Sequence, residues 1–224
     1  EPKAGEADED EMVRQLVISN MIKGDDAKAS AKASEIYAAH ADDISKLPAA
    51  IRLQILINQI KHHESKELTD LYLNTYAQAT DGNFKRQLST ALAYTTDAGT
   101  VEKILTEWKN KDVVKPQDLA MSWYFTFLHH EFTQESAWTW ARENWEWVKA
   151  ALGGDMSFDK FVIYPANTFK TAERLAEFKA FFEPQLSDMA ISRNISMGIK
   201  EIAARVDLIQ REKAAVEAAI LATK

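Results

Sequence analysis

Four of the six tryptophans lie in one short segment, residues 137–147, and this clustering constrains the fold more than any other feature. On a helix, which turns about 100° per residue, Trp138 and Trp145 share one face, and Trp140 and Trp147 share the opposite face. Large aromatic side chains on two opposed faces have to be covered from both sides. The segment therefore predicts an inner helix in a stack of helices, rather than one layer of a two-layer pair.

The rest of the chain also favours helices. Proline and glycine are scarce, with 5 and 7 copies among 224 residues, and long stretches are rich in alanine, leucine, lysine and glutamate. Apolar spacing and capping residues predict helices over residues 9–23, 27–41, 48–62, 65–80, 83–93, 98–108, 116–132, 133–152, 158–164, 171–183 and 188–222. Helix pairs with tight turns recur roughly every 30–40 residues, as in helical-repeat proteins. The predicted fold class is all-α, a curved array of antiparallel helix pairs of the HEAT/armadillo type.

The final predicted helix carries an apolar stripe with heptad-like spacing. Its members recur at intervals of three, four and seven residues and are Ile195, Ile199, Ile202, Val206, Ile209, Val216 and Ile220. Lys213 interrupts the stripe. An isolated coiled coil is one interpretation, but a single heptad run that contains a lysine favours a terminal helix lying along the array.

Charge and composition exclude several classes of function. The net charge is −7 and the sequence pI is about 5.3, without a local cluster of lysine and arginine, so nucleic acid is not an expected partner. No apolar run approaches the ~18 residues of a membrane span, and the acidic residues 1–11 are the reverse of a signal peptide's basic start. The absence of cysteine removes disulfides and thiolate metal sites and is compatible with a cytoplasmic location, which we expect.

Two histidine-containing motifs fall short of a zinc site. His129-His130-Glu131 is a near match to the HExxH motif, in which two histidines of one helix hold zinc beside a glutamate base. His130 and Glu131 would be the first two residues of the motif, but Gln134 replaces the second histidine. His62-His63-Glu64 fails likewise, because Glu67 occupies that position. His63 and Glu67 together offer two ligands, whereas zinc needs three or four. We therefore expect no metal site and no catalytic residue in this chain.

The tryptophans also allow a second interpretation, a platform on which bases or sugars stack. A helix buried on two faces favours a core role instead, and the negative net charge disfavours single-stranded nucleic acid. The expected structural core comprises Trp138, Trp140, Trp145, Trp147, Phe181 and Phe182.

The same region carries a family resemblance. Trp138 is followed by Asn144-Trp145, then by Leu175-x-Glu177-x-Lys179-x-Phe181-Phe182, and then by the isoleucine-spaced final helix. Upstream segments fit in the same order: Glu9-Asp10-Glu11, Leu47-Pro48-x-x-Ile51-Arg52, Leu71-Tyr72 and Lys115-Pro116-Gln117-Asp118. Over residues 9–224 the chain resembles the end of zinc aminopeptidases of the aminopeptidase N type.

This resemblance implies that residues 9–224 are a single, non-catalytic C-terminal helical-repeat domain of a longer polypeptide, with residues 1–8 a disordered or linker start. The parent enzyme would remove N-terminal residues from peptides, with one zinc ion in its catalytic domain and no cofactor in this chain. The expected partners are that catalytic domain and short peptides, over which the helical domain would enclose a substrate chamber. A free-standing helical-repeat module that binds a protein partner in its concave surface is the alternative.

Residues 155–171 stand out as an aromatic, irregular connector between two strong helices. A packed connector is one interpretation, but loops on a rigid scaffold often carry function. In the resembled family this region lies towards the substrate chamber and often presents arginine. The substrate-chamber candidates in this chain are Lys160, Tyr164, Asn167 and Lys170.

Overall fold

The computed structural model describes residue 5 and residues 7–222, and the regular elements within them are all helical. The α-helices are α1 (Asp8–Lys23), α2 (Ala27–Ala38), α3 (Arg52–His63), α4 (Lys66–Gln78), α5 (Gly82–Leu92), α6 (Ala98–Glu107), α7 (Pro116–Asp118), α8 (Phe125–His129), α9 (Glu131–Glu143), α10 (Trp145–Leu152), α11 (Lys160–Thr168), α12 (Ala172–Phe182) and α13 (Ser192–Ala222). A π-helical turn, Leu119–Tyr124, joins α7 to α8, and short 3-10 turns lie at Ile44–Lys46 and Glu183–Gln185. The predicted all-α fold is confirmed, whereas the curved superhelical arrangement stays a prediction.

The chain forms two compact units, Glu1–Lys115 with α1–α6 and Pro116–Lys224 with α7–α13. A single domain over residues 9–224 stays a prediction. The predicted start segment, residues 1–8, lies largely outside the described residues, although α1 begins at Asp8. No described helix combines the length and the apolar character needed to cross a bilayer.

In the first unit, α3 is the central helix. Its residues 55–60 are all buried, and it packs on α1, α2 and α5. The sequence predicts that this helix starts at Pro48, which is wrong, because α3 begins at Arg52. Residues before it form a separate turn in which the backbone N–H of Ile51 donates to the carbonyl oxygen of Pro48, 3.1 Å away.

Side-chain caps fix the starts of four helices in this unit. In each, an oxygen of the capping residue accepts a hydrogen bond from a backbone N–H in the first helical turn. The capping residues are Asp26 for α2, Ser65 for α4, Asp81 for α5 and Asp97 for α6. Because a cap of this kind stabilises a helix by about 1 kcal/mol, these positions mark the helix starts in the sequence.

In the second unit, the predicted tryptophan helix is wrong in its length, because it divides into α9 and α10 at Asn144. Asn144 has φ −108° and ψ 19°, and its side-chain amide donates to the carbonyl oxygen of Trp140 at 2.7 Å. Trp138 and Trp145 still pack on one partner, Phe182, with ring centroids 5.9 and 5.5 Å from it. The aromatic face expected of one helix is therefore shared by two short ones.

The helix predicted over residues 116–132 begins at Pro116 but contains the π-helical turn and ends at His129. In the π turn, the backbone N–H of Phe125 donates to the carbonyl oxygen of Ala120, five residues earlier. His130, with φ −106° and ψ 129°, is extended and separates α8 from α9. Because the wide turn contains one extra residue, the α-helical spacing of apolar residues does not continue from α7 into α8. That spacing therefore does not predict which side chains of α8 face outwards.

α13 begins at Ser192 rather than at the predicted Asp188, and its first half packs on α11 and α12. The buried members of its stripe are Ile195, Ile202 and Val206. From residue 207 to residue 222 every side chain is exposed. The helix therefore has a docked half and an exposed half.

Gly198 allows α13 to approach its neighbours closely. A Cβ atom at this position would lie 2.8 Å from the Cβ of Ala166 and 2.9 Å from a ring carbon of Phe178. Both distances are shorter than van der Waals contact. Only glycine fits here without movement of α11 or α12.

Candidate functional site

The predicted irregular connector, with a short helix at 158–164, is wrong, because α11 continues as a helix to Thr168. Pro165 lies inside it and removes one backbone hydrogen bond. The helix persists because its inner side is well packed: Phe161, Val162 and Ala166 are buried, and the Phe161 ring stacks on Tyr124 at 4.5 Å. Tertiary packing here outweighs the local preference against proline.

Three of the four candidate residues share one side of α11. Lys160, Tyr164 and Asn167 follow one another at intervals of four and three residues, which brings them onto one helical face. We call this surface the α11 face. Asn167 is exposed, and Lys160 and Tyr164 are half-buried, whereas Lys170 is exposed just beyond the end of the helix.

Tyr164 is held by contacts to the π turn and to α8. Its hydroxyl donates to the sulfur of Met121 at 3.2 Å, and its ring meets Phe125 edge to face with centroids 5.0 Å apart. Burial raises the pKa of the Tyr164 phenol, and the nearby Asp159 carboxylate adds to this. Tyr164 is therefore a neutral hydroxyl at physiological pH.

Lys160 presents a partly neutralised charge. Its Nζ lies 3.2 Å from Oδ1 of Asp159, the residue before α11. The other carboxylate oxygen of Asp159 accepts a hydrogen bond from the side chain of Asn194 on α13, at 3.3 Å. The start of α11 is thus tied to α13, and Lys160 retains N–H donors for a further acceptor.

Arg205 secures the other end of α11. Its guanidinium donates to the carbonyl oxygens of Ala166, at 2.9 Å, and of Phe169, at 2.5 Å. Ala166 lies in the last turn of α11 and Phe169 follows the helix directly, so neither carbonyl has a partner within the helix. Sequence reasoning missed this residue, because one arginine on a long helix carries no signal of what it contacts.

An exposed apolar cluster lies beside the α11 face. Met121 and Phe125 are 52% and 39% exposed, and the ring of Phe125 lies 4.2 Å from that of His129. His129 in turn lies 3.5 Å, Nε2 to Oγ1, from Thr168 at the end of α11. Sequence reasoning missed this cluster too, since the π turn decides which of these side chains face outwards.

The histidines of the incomplete zinc motifs are engaged elsewhere. His129 lies 2.6 Å, Nδ1 to oxygen, from the carbonyl of Phe125; His62 contacts Asp25 at 3.1 Å, and His63 contacts the hydroxyl of Ser34 at 3.1 Å. Within residues 7–222 no three His, Cys, Asp or Glu side chains gather as a metal site would require. Among the described residues, these histidines therefore lack the three or four grouped ligands that a zinc site needs.

The expected core residues fall into two groups. Those that are buried are Trp138, Trp140, Trp145 and Phe182. Trp147 and Phe181 are partly exposed and lie at the edge of the core. Trp147 still packs edge to face on Trp140, with centroids 5.9 Å apart.

Comparison with known proteins identifies a matching family and several similar proteins. The model of the family described as "ERAP1-like C-terminal domain" matches residues 1–204. "Aminopeptidase N" of Lactococcus lactis subsp. lactis is 54% identical over 97% of this chain and 26% of that protein. "Aminopeptidase N" of Lactobacillus delbrueckii subsp. lactis is 41% identical over 99% of the chain and 26% of that protein.

A more distant relative, "Aminopeptidase M1" of Arabidopsis thaliana, is 24% identical over 90% of this chain and 23% of that protein. The chain spans about a quarter of the length of the relatives it matches. The resemblance to the end of aminopeptidase N-type enzymes is confirmed, and the chain belongs to the family of ERAP1-like C-terminal domains.

Proposed function

We propose that this chain is the non-catalytic C-terminal domain of a zinc aminopeptidase and that it encloses the chamber in which peptides lose their N-terminal residues. One observation carries the proposal: the chain aligns over 97% of its length with an aminopeptidase N, of which it covers 26%. The rest of such a polypeptide would hold one zinc ion, whose chemistry is to activate a bound water for attack on the first peptide bond. This domain would act on the substrate without ligating the metal.

The partners would be the catalytic domain of the same polypeptide and short peptides. The sequence itself supports a partner other than nucleic acid, because its net charge is −7. We propose a cytoplasmic location for the enzyme, and the absence of cysteine is compatible with it.

Within this domain, the α11 face would line the chamber and contact the C-terminal side of the peptide. It offers Lys160 as a cation, Asn167 as an amide donor and acceptor, and Tyr164 with its apolar neighbours Met121 and Phe125. Lys170 adds a second cation, which is exposed. This set matches a peptide's C-terminal carboxylate, its backbone amides and its side chains.

Kinetics with substrates of different length test the proposal. In the full-length enzyme, Lys160→Ala or Asn167→Ala should lower kcat/KM for peptides long enough to reach this domain. A lost charged contact is worth about 1–3 kcal/mol, or roughly five- to a hundred-fold in kcat/KM. Single-residue chromogenic substrates should be hydrolysed at the unchanged rate.

Lys200→Ala is the matched control, because Lys200 is an exposed lysine on α13, outside the α11 face. It should leave both substrates unaffected. An equal loss for short and long substrates, or melting curves that fall in step with activity, would show that the α11 face only packs the domain together.

A further inference from the structure

The second half of α13 presents an apolar surface to solvent. Val206 is 8% exposed, yet every residue from 207 to 222 is exposed. We call residues 207–222 the α13 tail. Its large apolar side chains are Leu208, Ile209, Val216, Ile220 and Leu221, with exposed fractions from 36% for Ile209 to 68% for Leu221.

The exposed side chains continue the buried stripe in register. Ile195 and Ile202 are buried, and Ile209 and Val216 follow them at the same seven-residue interval. Heptad spacing keeps apolar side chains on one side of a helix over many turns, at the cost of a slight supercoil. The side of α13 that docks on α11 and α12 therefore continues as an apolar face along the tail.

This tail gains little stability from its own contacts. Most of the stability of helices in proteins comes from the packing of an apolar face, and every residue of the tail is exposed. Its ion pairs, Arg211 with Asp207 at 3.1 Å and with Glu212 at 2.7 Å, and Lys213 with Glu217 at 3.8 Å, join exposed side chains. Pairs of this kind contribute only about 0.2–0.5 kcal/mol each. A partner that covers the apolar face would supply the stability that these pairs do not.

The match to the family model ends where the helix leaves the core. The model matches residues 1–204, and Val206 is the last buried residue of α13. The similarity to the Lactococcus lactis protein extends over 97% of the chain and so takes in most of the tail. The similarity to this bacterial aminopeptidase thus reaches beyond the residues that the family model matches and into the tail.

We propose that the apolar face of the α13 tail binds an amphipathic helix from the part of the aminopeptidase polypeptide that lies outside this chain. The inference rests on the proposed function, because it requires that longer polypeptide. About three quarters of each bacterial relative lies outside the region matched here, which provides ample chain for such a helix.

Lys213 defines the chemistry of the partner. It occupies a stripe position between Ile209 and Val216, so a helix laid along this face meets its ammonium group. The partner would therefore carry a carboxylate opposite Lys213 among apolar side chains. A second, parallel copy of the tail fits poorly, because it sets lysine against lysine and brings Glu212 next to Glu217 of the other helix.

Hydrogen exchange of the tail tests this docking. Amides of residues 207–222 should exchange at least about tenfold more slowly in the full-length enzyme than in this chain alone. Val216→Asp should abolish that difference. Ala215→Asp, one residue away on the outer side of the helix, should preserve it. The control is stringent, because Ala→Asp loses more helix propensity than Val→Asp.

Three outcomes would overturn the inference. The tail amides exchange equally fast in both proteins, or the two aspartate variants behave alike, or the tail is already protected in the chain alone. Protection that rises with the concentration of the chain alone would instead assign the face to a second copy. Length-dependent kinetics of the α11 variants, measured on the same full-length enzyme, report separately on the proposed function.

Discussion

The indole N–H of Trp138 donates to a carboxylate oxygen of Glu177, 3.0 Å away, and Arg174 donates to the same oxygen at 2.6 Å. Arg174 also forms an ion pair with Glu135, so a charged network joins α9 to α12. Trp138 itself is fully buried among aromatic rings. Glu177 thus satisfies the polar atom of an otherwise apolar side chain.

Removal of Glu177 should therefore destabilise the second unit. Glu177→Ala leaves the indole N–H of Trp138 without its acceptor, and an unsatisfied buried donor costs about 1–3 kcal/mol. Glu177→Gln keeps an amide oxygen and should lose less. Urea denaturation followed by tryptophan fluorescence measures both. Equal losses for the two variants would mean that the negative charge of Glu177, and not its hydrogen bond to Trp138, stabilises the second unit.

Truncation of Trp145 to alanine should lower the free energy of unfolding by about 3–5 kcal/mol, as for other large buried aromatic residues. Trp145 is 5% exposed, stacks on Phe158 at 5.4 Å and donates its indole N–H to Gln185. Trp147→Ala is the matched control and should lose less, because Trp147 is partly exposed. A loss below about 1 kcal/mol for Trp145→Ala in a denaturant melt would contradict its place in the core.

Gly198→Ala should destabilise the protein even though alanine is the better helix former by about 1 kcal/mol. The added Cβ would lie within 3 Å of Ala166 and Phe178, and overpacking of this kind costs about 1–3 kcal/mol. Ser196→Ala, at an exposed position of the same helix, should be close to neutral. Thermal melts of the two variants test the sign. A raised Tm for Gly198→Ala would show that α13 can move away from α11.

Stability should depend on pH through His130. Burial, aided by the neighbouring His129, lowers the pKa of His130 below its ordinary value of 6.5. The unfolded chain then binds the proton more readily than the folded one. The stabilisation is present above pH ~6.5 and is lost as the pH falls through the lowered pKa.

Urea melts between pH 5 and pH 8 should therefore show a rising free energy of unfolding, with a smaller slope in His130→Gln. The carboxylates that titrate below this range are common to both proteins and cancel in the comparison. Identical slopes for the two proteins would indicate that His130 is accessible to protons in the folded state.

The chain purified alone should hold no stoichiometric zinc and show no peptidase activity, because its two histidine motifs are incomplete. Metal analysis after dialysis, with an activity assay on the same sample, checks both. One tightly held zinc ion per chain would contradict the assignment of the zinc site to the rest of the polypeptide.

Helix starts were predictable from the sequence where a side chain caps them. Ser65 and Asp97 predict the starts of α4 and α6, because their oxygens satisfy backbone N–H groups within a few residues. The break at Asn144 carries no comparable signal, since asparagine inside an amphipathic run only weakly disfavours a helix. Pro165 even gives the opposite signal, and only the packing of α11 explains why the helix continues through it.

Only part of the candidate site was predictable from the sequence, because its geometry depends on contacts between distant segments. The polar and aromatic composition of residues 155–171 predicted Lys160, Tyr164 and Asn167 as candidates. It did not predict that they share one face, because that depends on α11 being a helix. Met121 and Phe125 could not be found from spacing, because the π turn breaks the α-helical period at that point. Arg205 is far from α11 in sequence, and nothing local to it reveals the contact.

Because of the π turn, the contact between Met121 and Tyr164 depends on the number of residues in this segment. A π turn contains one residue more than the α-helical turn it replaces, so an in-frame deletion of one residue between Met121 and Phe125 would restore a continuous α-helix. The helical segments on either side would keep their faces, because the wide turn holds its extra residue within a single turn. Met121 would stand three residues before Phe125 instead of four, which moves it around the helix relative to Tyr164. A change of one residue in the length of this segment can therefore alter the contact between Met121 and Tyr164, with no substitution at either position.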